Sequence, residues 1–244
     1  DCDLGVFTEH FSGPFGEPSL VQSGDVTGKE AGQPRQGATE DSENLLDLGY
    51  RAPQLLAEAL ERHLRPDEEA RQLAILDAGA GTGLCGPLLR PRAATLVGVD
   101  LSPGMLEKAR VRRLYDELVA MELCEFMRSR PSAFDVVLSA DTLVYFGALD
   151  EALAAARTCL RPGGLLTFTV ERWEAPDDNA RFRMGLHGRY VHAEAYVAGA
   201  IDAAGLQRLE VTPAVLRAEL GTDVQGMVVA PVGPERCAGS LVPR

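Results

Sequence analysis

The stretch LDAGAGTGLCG, residues 76–86, sets glycine at alternate positions, Gly79, Gly81 and Gly83, just after an apolar run containing Asp77. Glycines so spaced let the chain turn tightly and let a ligand lie against bare backbone, while a helix that follows offers free N–H groups. The dinucleotide fingerprint G-x-G-x-x-G would need glycine at 84, where Leu84 stands, and no G-K-[ST] closes a phosphate loop. Asp100 follows Gly79 by 21 residues and closes the run ATLVGVD. A carboxylate at a strand end can accept both hydroxyls of a ribose, a role that nicotinamide and adenosyl ligands share. These residues therefore point to a ribose more strongly than to the rest of any ligand.

Proton-handling groups concentrate in RFRMGLHGRYVHAEAYV, residues 181–197, which holds two of the four histidines, His187 and His192, around Arg189 and Tyr190. If an acceptor hydroxyl must lose its proton, a neutral histidine within hydrogen-bond reach is the group required, so His187, Tyr190 and His192 are the catalytic candidates. Five-residue spacing without a third ligand is not a zinc arrangement. The cysteines (Cys2, Cys85, Cys124, Cys159, Cys237) are odd in number, scattered and free of C-x-x-C spacing, which indicates neither a disulfide framework nor a metal site. Cys85 and Cys124 follow ligand loops but read as small buried apolar groups. Trp173, the one tryptophan, either walls an acceptor or packs.

The elements that must position these groups are legible as alternating strand and helix signals. Apolar runs at 73–79, 94–101, 134–140 and 164–170, with a weaker one at 116–122, are separated by helical patterns at 82–90, 103–112, 123–129 and 148–160. Continuous apolar runs between helices are what a parallel sheet covered on both faces requires. Before them, GYRAPQLLAEALERHL puts Pro53 at a first helical position and Leu56, Leu60 and Leu64 on one face. Ser102 and Pro103 read as N-cap and first helical residue, and RPGG after AAARTCL stops a helix. After a helix at 193–205, LQRLEVTPAV and QGMVVAPV leave no room for a crossover, so the last two strands should pair antiparallel. The expected fold is α/β: a Rossmann-like, doubly wound seven-stranded sheet, mostly parallel with an antiparallel last strand, helices on both faces. Its ligands would sit at the strands' carboxyl ends.

Residues 1–43 are rich in Gly, Pro, Ser and acids without sustained periodicity and read as a flexible leader, in which GVFTEHF could dock as a lid. Residues 44–232 form the expected domain, and 233–244 a tail whose LVPR resembles the remnant of a thrombin site. The 244 residues carry a net charge of −12, which argues against nucleic acid as a partner because phosphate contacts select basic faces. Arg110, Arg112 and Arg113 read as a solvated helix end. No apolar stretch approaches the roughly 20 residues of a membrane span, and no secretory pattern is visible. The expectation is a cytoplasmic monomer or homodimer.

The motifs resemble the class I S-adenosylmethionine-dependent methyltransferases over about 45–231. ILDAGAGTG is similar to the first motif, VGVDLSPGML to the second-strand acid and helix, FDVVLSADTLVYFG to the fourth-strand motif and CLRPGGLLTFTVE to the strand that follows. LGYRAPQLL and HGRYVHAEAYV look like signatures of small-molecule methyltransferase domains found with tetratricopeptide repeats, which are missing here. The resemblance implies that Asp77, Gly79, Gly81 and Gly83 hold the methionine part of the cofactor and Asp100 the ribose, with Leu101 and Met105 near the adenine. Glu122 and Leu123 match the positions at the adenine amino group, with glutamate where aspartate is commoner. Asp141 would line the methionine end, and Tyr50 would close over the cofactor. A small-molecule methyl acceptor is implied; the alternatives are a non-catalytic binder of the same cofactor and a nicotinamide-dependent oxidoreductase.

Overall fold

The structure is a computed structural model describing residues 49–64, 72–177, 179–185, 187–219 and 221–233. The expected leader and lid, the LVPR tail, Cys2 and Cys237 lie outside the described residues.

Helix α1 (Ala52–His63) leads into β1 (Leu73–Ala78), α2 (Gly86–Leu89), β2 (Ala93–Asp100), α3 (Pro103–Val111), β3 (Glu117–Ala120), α4 (Leu123–Ser129) and β4 (Phe134–Ser139). Then follow α5 (Asp150–Cys159), β5 (Leu160–Arg172), β6 (Phe182–Met184), β7 (Tyr190–His192), α6 (Glu194–Ala203), β8 (Gln207–Glu219) and β9 (Thr222–Val232). The main sheet runs β3-β2-β1-β4-β5-β9-β8. The first five strands are parallel, and β9 is antiparallel to both β5 and β8. The short link from Glu219 to Thr222 dictates that reversal, since a parallel return needs a crossover of about a dozen residues.

Adjacent residues along one strand feed opposite cores. Ile75, Val136 and Val228 pack with Leu56, Leu60 and Leu89 under α1 and α2, whereas Leu76, Val137 and Val229 pack with Phe126, Leu153 and Ile201 under α4, α5 and α6. Burial on both faces explains why these strands read as unbroken apolar runs. Leu56 and Leu60 of α1 are buried as their spacing predicts, and Ser102 caps α3 by accepting from the Met105 N–H at 3.3 Å.

Two elements differ from expectation. The helix expected at 82–90 is only α2, continued by a 3-10 turn over Arg90–Arg92, because Gly83 takes a left-handed φ of +81° and Pro87 follows at the helix start. The segment read as a loop before residue 193 contains the β6–β7 hairpin, whose β7 adds to the end of β5 through Glu171↔Val191 and Arg172↔His192. Nine strands thus stand among the described residues, the expected seven forming the main sheet.

Candidate functional site

The carboxyl ends of β1, β2 and β4 converge on the glycine loop. Gly79 N–H and Ala80 N–H both donate to the Val99 carbonyl, at 2.8 and 2.9 Å, and the Ser139 hydroxyl donates to the Ala78 carbonyl at 2.9 Å. The three glycines have left-handed φ angles, but their surroundings differ. A Cβ on Gly79 would stand 2.0 Å from Thr142 Oγ1, and one on Gly83 would meet Tyr115 at 3.0 Å and Ala109 at 3.1 Å. One on Gly81 would approach only Met105 Sδ, at 3.9 Å. Gly79 and Gly83 are therefore required by the protein's own packing, while Gly81 leaves open backbone that an outside molecule can approach.

Asp77 lies beneath this loop with no exposed surface; its Oδ2 accepts from the Tyr115 hydroxyl at 2.5 Å, and its Oδ1 is buried without a hydrogen-bond partner. Burial pushes its carboxyl up to about 7, against the opposing pull of the Tyr115 hydroxyl and the nearby Cys85 thiol. Enclosed in this way, Asp77 offers no surface for direct contact with a molecule lying on the loop. The Cys85 thiol is itself raised by burial and by Asp77, which leaves it a protonated, packed group.

Asp100 sits at the end of β2 with each carboxylate oxygen assigned: Oδ2 accepts from Gly81 N–H at 2.9 Å and Oδ1 from Ser102 N–H at 2.8 Å. The acid thereby fixes the middle of the glycine loop to the start of α3, and each oxygen retains a lone pair for a hydroxyl. Beside it, Leu101 is 72% exposed and Met105 47% exposed, an apolar shelf at the rim. Glu122 stands at the start of α4. Its carboxylate caps α4, accepting from Cys124 N–H at 2.9 Å and Glu125 N–H at 2.7 Å. Burial tends to raise that carboxyl, but the two backbone donors outweigh it and hold it below its ordinary range. Leu123 points into the core with 7% exposure.

Asp141, just past β4, has a left-handed φ of +50°. Its N–H donates to Thr169 Oγ1 at 2.9 Å, the Thr169 hydroxyl returns a bond to Oδ1 at 3.3 Å, and Arg217 Nη1 donates to Oδ2 at 2.7 Å. Arg217, on β8, also bonds Glu219 Oε1 at 2.7 Å and Glu171 Oε1. Arg189 reaches Glu171 at 2.8 Å and also Glu219. Two guanidinium groups and three carboxylates thus lie side by side, with Arg217 and Glu171 buried. Sequence reasoning singled out only Asp141 here; charges inside the apolar runs FTVER and AVLRAE were the available signal. Half-buried Tyr50 enters the same cluster, because Arg51 N–H donates to the Leu216 carbonyl at 2.8 Å. Burial first, then the Asp141 charge, push its phenol well above the usual value.

The catalytic candidates separate. His192 has no exposed surface; its Nε2 lies 2.9 Å from the Phe146 carbonyl and 3.1 Å from the Gly147 carbonyl, so that nitrogen carries the proton. Its ring stacks on Tyr196 at 6.1 Å, its Nδ1 is buried, and burial lowers its affinity for a second proton. His192 is therefore corrected from proton acceptor to structural pin between β7 and the turn after β4. Tyr190 is half-buried, edge-on to Phe182 at 5.8 Å. His187 alone stands exposed, in the β6–β7 turn. Trp173 packs under the Arg183 guanidinium at 4.4 Å. Among the described residues no three His, Cys, Asp or Glu side chains are grouped to hold a metal ion.

Residues 76–168 match the family profile described as a methyltransferase domain. Malonyl-[acyl-carrier protein] O-methyltransferase of Geobacter sulfurreducens is 39% identical over 100 residues, covering 39% of this chain and 38% of that protein. Methyltransferase-like protein 27 of Homo sapiens is 36% identical over 141 residues, 54% of each chain. The chain thus spans about half, or less, of the curated relatives it matches. The crystal structure of Burkholderia thailandensis 1,6-didemethyltoxoflavin-N1-methyltransferase, with its substrate and S-adenosylhomocysteine bound, superposes with a TM-score of 0.62 at 18% identity, covering 84% of this chain and 94% of that one. The doubly wound sheet, with its glycine loop and acid at adjacent strand ends, is the Rossmann-like fold that this solved methyltransferase also adopts. Residues 76–168 of the chain are thus similar to the methyltransferase-domain family, and the chain shares its fold with a solved methyltransferase.

Proposed function

We propose that this protein binds S-adenosylmethionine and transfers its methyl group to an oxygen, nitrogen or carbon nucleophile of a small molecule. The observation that carries the reading is the Gly81–Asp100 pairing: open left-handed backbone and a strand-end carboxylate, tied together at 2.9 Å beside the exposed Leu101 and Met105. In this reading Asp100 takes the ribose hydroxyls with its free lone pairs, Leu101 and Met105 flank the adenine, and Glu122 supports that side through the α4 cap it forms. The open backbone at Gly81 and the acids Asp77 and Asp141 suit the methionine part and its positive sulfur.

The cofactor supplies an electrophilic methyl on a sulfonium. The protein's contribution is to hold a nucleophile in line with it and exclude water, which can account for most of the acceleration. His187 and Tyr190 flank the acceptor side, His187 taking a proton where the acceptor is a hydroxyl. The net charge of −12 favours a small acceptor over nucleic acid. The buried free thiols Cys85, Cys124 and Cys159 suit a reducing cytoplasm, and no described helix is long and apolar enough to cross a membrane. The domain runs over 44–232. Calorimetry with S-adenosylmethionine, S-adenosylhomocysteine and NAD tests the reading: the first two should bind and the third should not, and binding of NAD alone would reverse it. A metabolite screen reading out S-adenosylhomocysteine identifies the acceptor.

A further inference from the structure

We infer that Arg217 is a positioning residue that holds the Asp141 carboxylate ionised and aimed at the methionine end of the cofactor; this rests on the functional reading above. Asp141 is one residue from Thr142, whose hydroxyl lies 3.3 Å from the Gly79 carbonyl, so it stands at the lip of the glycine loop. Its backbone is in a region that side chains other than glycine seldom adopt, and such strain persists only where surrounding contacts over-determine it. Those contacts are named. Thr169, fully buried, takes the N–H and bonds Oδ1 from one side, and Arg217 takes Oδ2 at 2.7 Å from the other.

The charge balance makes Arg217 decisive. The titratable groups facing Asp141 are Tyr50, Cys85, Glu171 and Arg217. Of these only Arg217 is a cation, while Glu171 opposes ionisation as burial does. Burial already raises the Asp141 carboxyl, and Arg217 is what limits the rise. Glu171, Glu219 and Arg189 hold the guanidinium in turn: Glu171 and Glu219 accept from its other nitrogens, and Arg189 bonds both acids. A planar fork that gives one bond from each of its three nitrogens to a different carboxylate is a use that lysine cannot copy in full.

The test is the affinity for S-adenosylmethionine of wild type, Arg217→Met, Arg217→Lys and Asp141→Asn, measured by calorimetry from pH 6.5 to 9. Without the guanidinium, Asp141 binds its proton more tightly. Arg217→Met should therefore weaken binding on the order of tenfold at pH 6.5, and the ratio to wild type should narrow towards pH 9 as the carboxyl ionises. Arg217→Lys should recover most of the loss, and on an Asp141→Asn background Arg217→Met should cost nothing further. Should the single variant fail to fold, a Glu171→Gln/Arg217→Met pair repeats the series, because it removes a buried acid along with the buried cation. A loss of the same factor at every pH that persists on Asp141→Asn, or no loss at all, overturns the inference alone. A wild-type chain that binds neither S-adenosylmethionine nor S-adenosylhomocysteine overturns the functional reading and this inference with it.

Discussion

At the scale of single residues, the glycine loop separates folding from binding. Gly79→Ala drives a methyl into Thr142, 2.0 Å away, and should leave little folded protein on thermal denaturation. Gly81→Ala meets nothing closer than 3.9 Å and should fold at a loss of about 1–2 kcal/mol for a left-handed alanine, yet bind the nucleoside poorly by calorimetry. Asp77 makes a pH prediction. Its carboxyl, normally near 3.8, is raised to about 7, so between those values the folded state keeps a proton that the unfolded chain has released. Stability of the unliganded protein should therefore fall as pH rises from about 4 to about 7 and level off above, and Asp77→Asn should flatten that slope in melts across the range. Asp100→Ala should abolish cofactor binding with the fold intact, since the N–H groups of Gly81 and Ser102 that it leaves stand at a partly exposed rim. These local features were legible in the sequence, because a turn, its glycines and the next strand's acid lie within 25 residues of one another. Glu122 shows the limit: its type was readable, but not the α4 cap it forms.

At the scale of elements, the strands buried on both faces were legible and the small edge hairpin was not. β6 and β7 are three residues each and partly polar, too short for a period of two to register. His192 was misread for the same reason: the carbonyls it bonds, of Phe146 and Gly147, come from a segment that the hairpin meets only in three dimensions. The two histidines of this region should respond oppositely to substitution. His192→Ala should lower the melting midpoint by opening a hole behind the hairpin and leaving two half-buried carbonyls without a donor. His187→Ala should leave the midpoint unchanged and reduce turnover while cofactor affinity persists; full activity would remove it from the acceptor side. The Arg217 cluster was likewise beyond local reading, since its contacts join residues 46 and 76 apart in the chain.

At the scale of the molecule, two cores share one sheet and the glycine loop with Asp100 lies along its carboxyl edge, so a ligand bound there should stabilise the whole domain. At a concentration 100 times its dissociation constant, a ligand specific to the folded state adds about 2.7 kcal/mol. For a chain of this size that corresponds to a rise in melting midpoint of roughly 5–10 °C. S-adenosylmethionine and S-adenosylhomocysteine should both produce such a rise and NAD should not.

The β6–β7 hairpin joins β5 through only two residue pairs at its extremity, apart from the glycine loop. Exchanging only the tip between Met184 and Arg189 would alter what borders that edge of the sheet while the His192 pin and the Arg189 ion pairs stay in place. Variation tolerated by this scaffold should then concentrate in those few positions, an interchangeable visor on a fixed helmet.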